Sequence, residues 1–157
     1  MMLTVRLAEP ADADAATQVL RRSIIELCVA DHRNDPVALA GWLANKTPEM
    51  FRSWLERAGN SIVVAVGDDG VVFGVGGCSR DAEITLNYVS PDARFAGVSS
   101  VLLADLEERL RRAGAAGCRL ISTQTAHRFY LRRGFQDDPV AAALSGNTAP
   151  LPMRKAL

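Results

Sequence analysis

The residue types best spaced for chemistry lie in Arg94-Phe95-Ala96-Gly97-Val98-Ser99, between an apolar β-favouring run and a strongly periodic helical stretch. The run holds Ile84, Leu86, Tyr88 and Val89 and breaks at Ser90-Pro91. A strand, a loop of small residues and a helix start leave several backbone N–H groups unpaired and pointing one way. With the positive end of the helix dipole, such a cradle binds phosphate or pyrophosphate. On its own the cradle is shared by many folds, unrelated nucleotide-binding α/β domains among them, although no P-loop lysine accompanies it here. The other reactive types are dispersed. Cys28, Cys78 and Cys118 are far apart, odd in number and without CxxC spacing, so they read as reduced core thiols and no metal site is expected.

The chain that must position these groups has 157 residues, most simply one domain spanning 1–157. Its composition is that of a soluble protein, 48% hydrophobic and 23% charged. Lys plus Arg and Asp plus Glu are both 18, so charge gives no general argument for nucleic acid or an anionic membrane as partner. No basic region followed by an apolar stretch opens the sequence and no run reaches transmembrane length, so a cytoplasmic protein is expected.

Leu3, Val5 and Leu7 alternate with polar residues as in a half-buried strand, which Glu9-Pro10 ends. Asp12 or Asp14 can cap a helix whose Ala16, Leu20, Ile24 and Leu27 share a face. Asp31-His32-Arg33-Asn34 reads as a polar break. Asp35-Pro36 and Thr47-Pro48 are each a cap followed by proline at the first helical position, starting a short helix over 37–44 and another with Met50, Phe51, Trp54 and Leu55 on its apolar face. Ile62 to Val66 and Val71 to Val75, joined by Gly67-Asp68-Asp69-Gly70, read as a β-hairpin, and 83–89 as the next strand of a meander.

In the helix after the loop, Val98, Leu102, Leu106 and Leu110 face the core. Asp105–Arg109, Glu107–Arg111 and Glu108–Arg112 are acid-first i,i+4 pairs expected on its solvated face, each worth about 0.2–0.5 kcal/mol. Gly114 or Gly117 ends it. Residues 118–122 form a strand, giving a β-α-β unit and a parallel pairing. A second short helix over 125–133 ends at Gly134, a loop runs over 139–150, and Leu151, Met153 and Leu157 lie on one side of a closing strand.

Two stretches together are more specific than either alone. The first, 94–99, resembles the acyl-CoA pyrophosphate loop of the GCN5-related N-acetyltransferase (GNAT) family, Arg/Gln-x-x-Gly-x-Gly/Ala. The second, Ala126-His127-Arg128-Phe129-Tyr130-Leu131-Arg132-Arg133-Gly134-Phe135, resembles that family's Ala-x-x-Phe-Tyr-x-x-x-Gly-Phe. They are one β-α-β step apart, the order of elements matches over nearly the whole chain, and Val5-Arg6-Leu7-Ala8 resembles the family's usual first strand. The resemblance implies an α/β fold with a mixed, mostly antiparallel central sheet and helices on both faces. Ser99 departs from the loop pattern, although its hydroxyl can cap a helix or donate to phosphate. Thr123 stands where many members carry an Asn that positions pantetheine or a water.

The same resemblance implies transfer of an acetyl group from acetyl-CoA to a primary amine by direct attack, without a nucleophilic serine or cysteine. Phe95, Ala96, Gly97, Val98, Ser99 and Ser100 would offer N–H groups to pyrophosphate, with Arg94 as a charged contact. A backbone N–H near Tyr88-Val89 would polarise the carbonyl, and Thr123, Ala126 and Phe129 complete the cofactor side. Tyr130 would be the general acid, since a phenol of pKa about 10 can protonate a thiolate of pKa about 8–9 in contact with it; otherwise it is helix packing. The base would be Glu83, directly or through water, or else a solvated strand-edge residue. His32 titrates in the useful range and lies where the family builds its acceptor pocket, with Asp31, Asp35, Trp42 and Phe51 as further lining; Trp42 and Trp54 also read as core. His127 is expected on an exposed helix face. The acceptor is open between a small metabolite, an amine antibiotic and a protein amine, and a homodimer is compatible. A non-catalytic acyl-CoA-binding module is the alternative.

Overall fold

The computed structural model describes residues 2–145 and 151–157. Strand β1 (Thr4–Leu7) leads through a 3-10 turn (Pro10–Asp12) into helix α1 (Ala13–Leu27). Asp12 stands at the cap position of α1, yet its carboxylate accepts from Glu9 N (2.8 Å) and from both terminal nitrogens of Arg6 (2.8 and 3.0 Å) and from no helix amide. The polar break expected after α1 is instead a single helical turn, α2 (Val29–His32), stopped by left-handed Arg33 and Asn34 at φ 54° and 57°.

Helices α3 (Pro36–Leu43) and α4 (Pro48–Glu56) start as their sequences require. Asp35 accepts from Ala38 N (2.9 Å), Thr47 from Met50 N (3.2 Å), and a proline follows each cap. The β-branched runs pair as the expected hairpin of β2 (Ser61–Val66) and β3 (Val72–Cys78), and β4 (Glu83–Val89) continues the meander. A 3-10 turn (Pro91–Ala93) precedes helix α5 (Val98–Arg112), then come β5 (Gly117–Ser122) and α6 (His127–Arg132). The β-α-β step therefore forms, with β4 and β5 parallel.

Three features of the C-terminal part differ from expectation. A two-residue strand β6 (Gln136–Asp137) precedes helix α7 (Pro139–Ser145), where a loop was expected over 139–150; residues 146–150 of that loop lie outside the described residues. Asp138 caps α7 by accepting from Ala141 N (3.1 Å), which a sequence read for its Ala and Pro content does not reveal. The three ion pairs of α5 all form, at 2.6, 3.6 and 3.1 Å, but Glu107 is buried and takes Lys155 Nζ at 2.8 Å from the last strand, β7 (Leu151–Ala156). The partner that turns this face inward is 48 residues away in sequence.

The sheet has seven strands in the order β1-β2-β3-β4-β5-β7-β6, antiparallel except for β4 beside β5. Alternation along each strand supplies two cores. One face packs Val63, Ile84 and Leu120 against Leu102, Leu106 and Tyr130 of α5 and α6. The other packs Ile62, Val64 and Val75 against Leu20 of α1 and Phe51 of α4. No helix among the described residues is long and apolar enough to cross a membrane.

Candidate active site

The site follows from where β4 and β5 stop pairing. Only Glu83↔Arg119 and Ile84↔Leu120 are matched, after which the strands diverge. The β3–β4 register shifts by one residue between Gly77↔Leu86 and Cys78↔Ile84, which leaves Thr85 as a bulge. Beyond it, Ser90 N donates to Phe73 O at 2.7 Å. Antiparallel alternation then gives Tyr88 and Leu86 the bonds to β3 and turns the peptides of Asn87 and Val89 toward the gap. The unpaired donors expected around Tyr88-Val89 are therefore those of Asn87 and Val89.

The gap widens into a cleft of about 450 Å³. The loop and the start of α5 form one end. Gly97 caps the helix at φ 81°, and a Cβ built there would meet nothing within 4 Å, so open space lies in front of this backbone. Val98, Ser99 and Ser100 occupy the first helical turn, whose N–H groups have no intrahelical acceptor. All three line the cleft, as do Arg94, Phe95 and Gly97. Ala96 does not; its N–H is spent on Ala93 O (3.2 Å), which shapes the turn. Phe95 holds φ 65°, a strained conformation for a non-glycine residue, and projects outward, 92% exposed, beneath the Arg94 guanidinium at 4.7 Å.

Two residues take roles here that the sequence reading did not give them. Arg133 stacks on Phe129 (5.2 Å) and donates to the Ser100 hydroxyl, placing a cation beside the helix start. Asp31 accepts from Gln124 N (2.6 Å), Thr125 N (3.3 Å) and Thr125 Oγ1 (2.6 Å). It thus pins the β5–α6 loop to α2, on the side where Ser23, Leu27 and Cys28 wall the cleft, rather than lining an acceptor pocket.

Tyr130 is held between Phe129 (5.2 Å) and Phe135 (5.5 Å) and lines the same cleft. Burial pushes its phenol up to about 12, against a smaller pull downward from hydrogen bonding with Asn87. Asn87 Oδ1 is itself buried without a partner. An orphaned acceptor beside a phenol and two free amides marks a place built for another molecule's polar groups. No local signal discloses Asn87: strict alternation groups it with Glu83 and Thr85, and only the bulge at Thr85 turns it toward the gap.

Thr123 lines the cleft and accepts from Ala126 N (3.0 Å), so its oxygen caps the turn into α6 while its O–H proton stays available. That bond starts α6 later than the expected 125. Tyr88 contributes to the cleft wall, and its side chain packs on the α1–α4 face. Trp42 is half-buried beside His32 (6.3 Å) and supports this wall without lining the cleft.

His32 requires correction. It is 3% exposed, its Nε2 bonds Ile24 O (2.8 Å) and its Nδ1 accepts from Asn34 N (3.0 Å). Both nitrogens are occupied in joining α1 to α2, so neither is offered to an acceptor. Asp35 is the α3 cap and Phe51 is fully buried, so they do not line a pocket either. His127 is half-buried against Asp137 (2.7 Å), not free on an exposed face. Glu83 lies outside this cleft, 3.8 Å from Arg119. Four residues of strand, about 13 Å, separate it from Asn87, which excludes direct contact with an amine at the free amides. Burial raises the Cys28 thiol to about 12 and Cys118 to about 11, so neither offers a thiolate.

A splayed pair of parallel strands, an anion-binding loop on the following helix and a buried phenol between them define an acyl-CoA-dependent acetyltransferase domain. Residues 27–157 match the family model of an acetyltransferase (GNAT) domain, and the chain belongs to that family. No curated protein matches the sequence. Among solved structures, a GCN5-related N-acetyltransferase from Rhodopseudomonas palustris is 21% identical (TM-score 0.84), covering 100% of this chain and 97% of that one. PaiA N-acetyltransferase from Thermoplasma acidophilum, in complex with coenzyme A, is 18% identical (TM-score 0.84), with both chains covered in full. N-acetylglutamate synthase from Neisseria gonorrhoeae, complexed with coenzyme A and N-acetyl-glutamate, is 19% identical (TM-score 0.70); all of this chain matches 35% of it. At these identities the neighbours establish the fold.

Proposed function

We propose that the chain transfers the acetyl group of acetyl-CoA to a primary amine by direct attack. The observation that carries this reading is the meeting of the free Asn87 and Val89 amides, the Tyr130 phenol and the α5 N-terminus in one cleft. When bound, acetyl-CoA supplies the activated acetyl thioester. The α5 amides, Arg94 and Arg133 hold its pyrophosphate. The Val89 or Asn87 N–H stabilises charge developing on the carbonyl oxygen.

The neutral amine forms a C–N bond as the C–S bond breaks. Tyr130 gives its proton to the departing sulfur, and the amine proton leaves through water to Glu83 or to solvent. Burial keeps the phenol protonated before the reaction, and because a pKa of about 12 makes it a weaker acid than a free phenol, the transfer relies on direct contact with the departing sulfur. The test is an acetyl-CoA-dependent screen over amines with thiol release as readout. Turnover with at least one amine supports the proposal. Tight CoA binding with no thiol release from any amine identifies a binding module instead.

A further inference from the structure

A second cleft, of about 460 Å³, opens on the α3–α4 side of β4 and shares Thr85, Leu86 and Tyr88 with the first. The two clefts therefore abut the same stretch of β4. Its wall carries Lys46, 8% exposed, which donates to Asn45 Oδ1 (2.6 Å) and Trp42 O (3.4 Å). Neither acceptor is charged, and among the described residues no carboxylate pairs with it. A buried ammonium held only by neutral groups is unfavourable unless an anion joins it, and Lys46 keeps one N–H to offer.

Arg57 and Arg80 line the same cleft and form no ion pair among the described residues. The cleft also holds Asp81 and Glu83; Arg119 stands 3.8 Å from the Glu83 carboxylate and donates to the backbone carbonyl of Asp81 (2.6 Å), so no cation pairs with the Asp81 carboxylate among the described residues. Lys46, Arg57 and Arg80 therefore outweigh the two carboxylates of the lining, one of which Arg119 already pairs, and the Lys46 ammonium has only neutral partners.

Resting on the N-acetyltransferase reading above, we propose that this cleft is the anion subsite of the acceptor, and that the acceptor is a small amine bearing a carboxylate. One remaining ammonium N–H beside the Asn45 amide suits a planar monoanion. Arg57 and Arg80 supply the longer-range attraction that draws it in.

The test pairs each of a series of amino carboxylates (α-amino acids, and ω-amino acids from β-alanine to 6-aminohexanoate) with its own carboxamide, and adds 2-aminoethyl phosphate. Binding is measured by calorimetry in the presence of CoA, and thiol release is followed with acetyl-CoA. The best carboxylate is expected to bind at least tenfold more tightly than its carboxamide. Lys46→Met should abolish that preference and Arg57→Gln should reduce it severalfold, with acetyl-CoA affinity reporting that each variant is folded. Equal binding of carboxylate and carboxamide, preference for the phosphate, or a preference that survives Lys46→Met overturns the proposal. Carboxylate binding that depends on Lys46 without any thiol release sustains the subsite while refuting the acetyl transfer on which it was built.

Discussion

Asn87 on β4 and Tyr130 on α6 line the same cleft, where the asparagine side chain pulls the phenol's pKa down against its burial while its own Oδ1 is buried without a partner. The two residues are far apart in sequence and are brought together because β4 bulges at Thr85 and α6 is held by the Phe129–Tyr130–Phe135 stack. In the proposed function the phenol that burial keeps neutral is the proton donor, with Asn87 beside it.

That arrangement sets the pH profile. With the phenol at about 12, Tyr130 stays protonated throughout the range in which amines lose their protons, near pH 9–10. The rate should rise with pH as the amine becomes neutral, with no falling limb attributable to the acid up to pH 10. A descending limb below pH 9 in kcat would contradict the assignment.

In the proposed function Gly97 lets the backbone approach the cofactor's pyrophosphate closely. At φ 81° a side chain costs about 1–2 kcal/mol, and a carboxylate would fill the open space with the wrong charge. Gly97→Glu should weaken acetyl-CoA binding at least a hundredfold by calorimetry while circular dichroism stays unchanged. Normal binding by that variant would remove the loop from the site.

Asp31 latches the β5–α6 loop to α2 through three hydrogen bonds. Their partial exposure limits their worth to about 1 kcal/mol, roughly a factor of five. Asp31→Ala is expected to raise the KM for acetyl-CoA by about that factor while leaving kcat within twofold, because the latch shapes the cleft wall and touches no reacting atom. A large fall in kcat with KM unchanged would assign Asp31 a different role.

Stability should respond to acid through Asp12. The Arg6 hydrogen bonds, and then Glu9 N, hold its carboxyl below the usual range, so the unfolded chain binds the proton more readily. Its contribution is fully present above the unfolded value of about 3.9 and disappears as pH falls through the lower folded value. Asp12→Asn should cost about 1–2 kcal/mol at pH 7 in urea unfolding, with the gap closing below pH 4. A gap that widened in acid would reverse the sign of this account.

Local patterns made most of the fold legible. The hairpin, the prolines after Asp35 and Thr47, and the four-residue spacing from Val98 to Leu110 each specify an element within a few residues of themselves, and the loop and Tyr130 stretches pointed to the cleft they now line. What escaped depends on partners that no residue pattern displays. The availability of His32 is decided by the nearby Ile24 O and Asn34 N, and the burial of Glu107 by the distant Lys155. The roles of Asp31 and Arg133 are decided by Thr125 and Ser100. Asn87 carries no local pattern at all, since only the bulge turns it toward the gap.

The most direct test of the central claim compares Tyr130→Phe with the native chain, following thiol release from acetyl-CoA with an acceptor amine and acetyl-CoA binding on the same samples. A general acid contributes about 10²–10⁴-fold, so kcat should fall by at least about a hundredfold while the acetyl-CoA Kd stays within twofold. An unchanged kcat, or a loss of affinity that accounts for the whole effect, would show that the phenol packs the cleft and gives no proton to the sulfur.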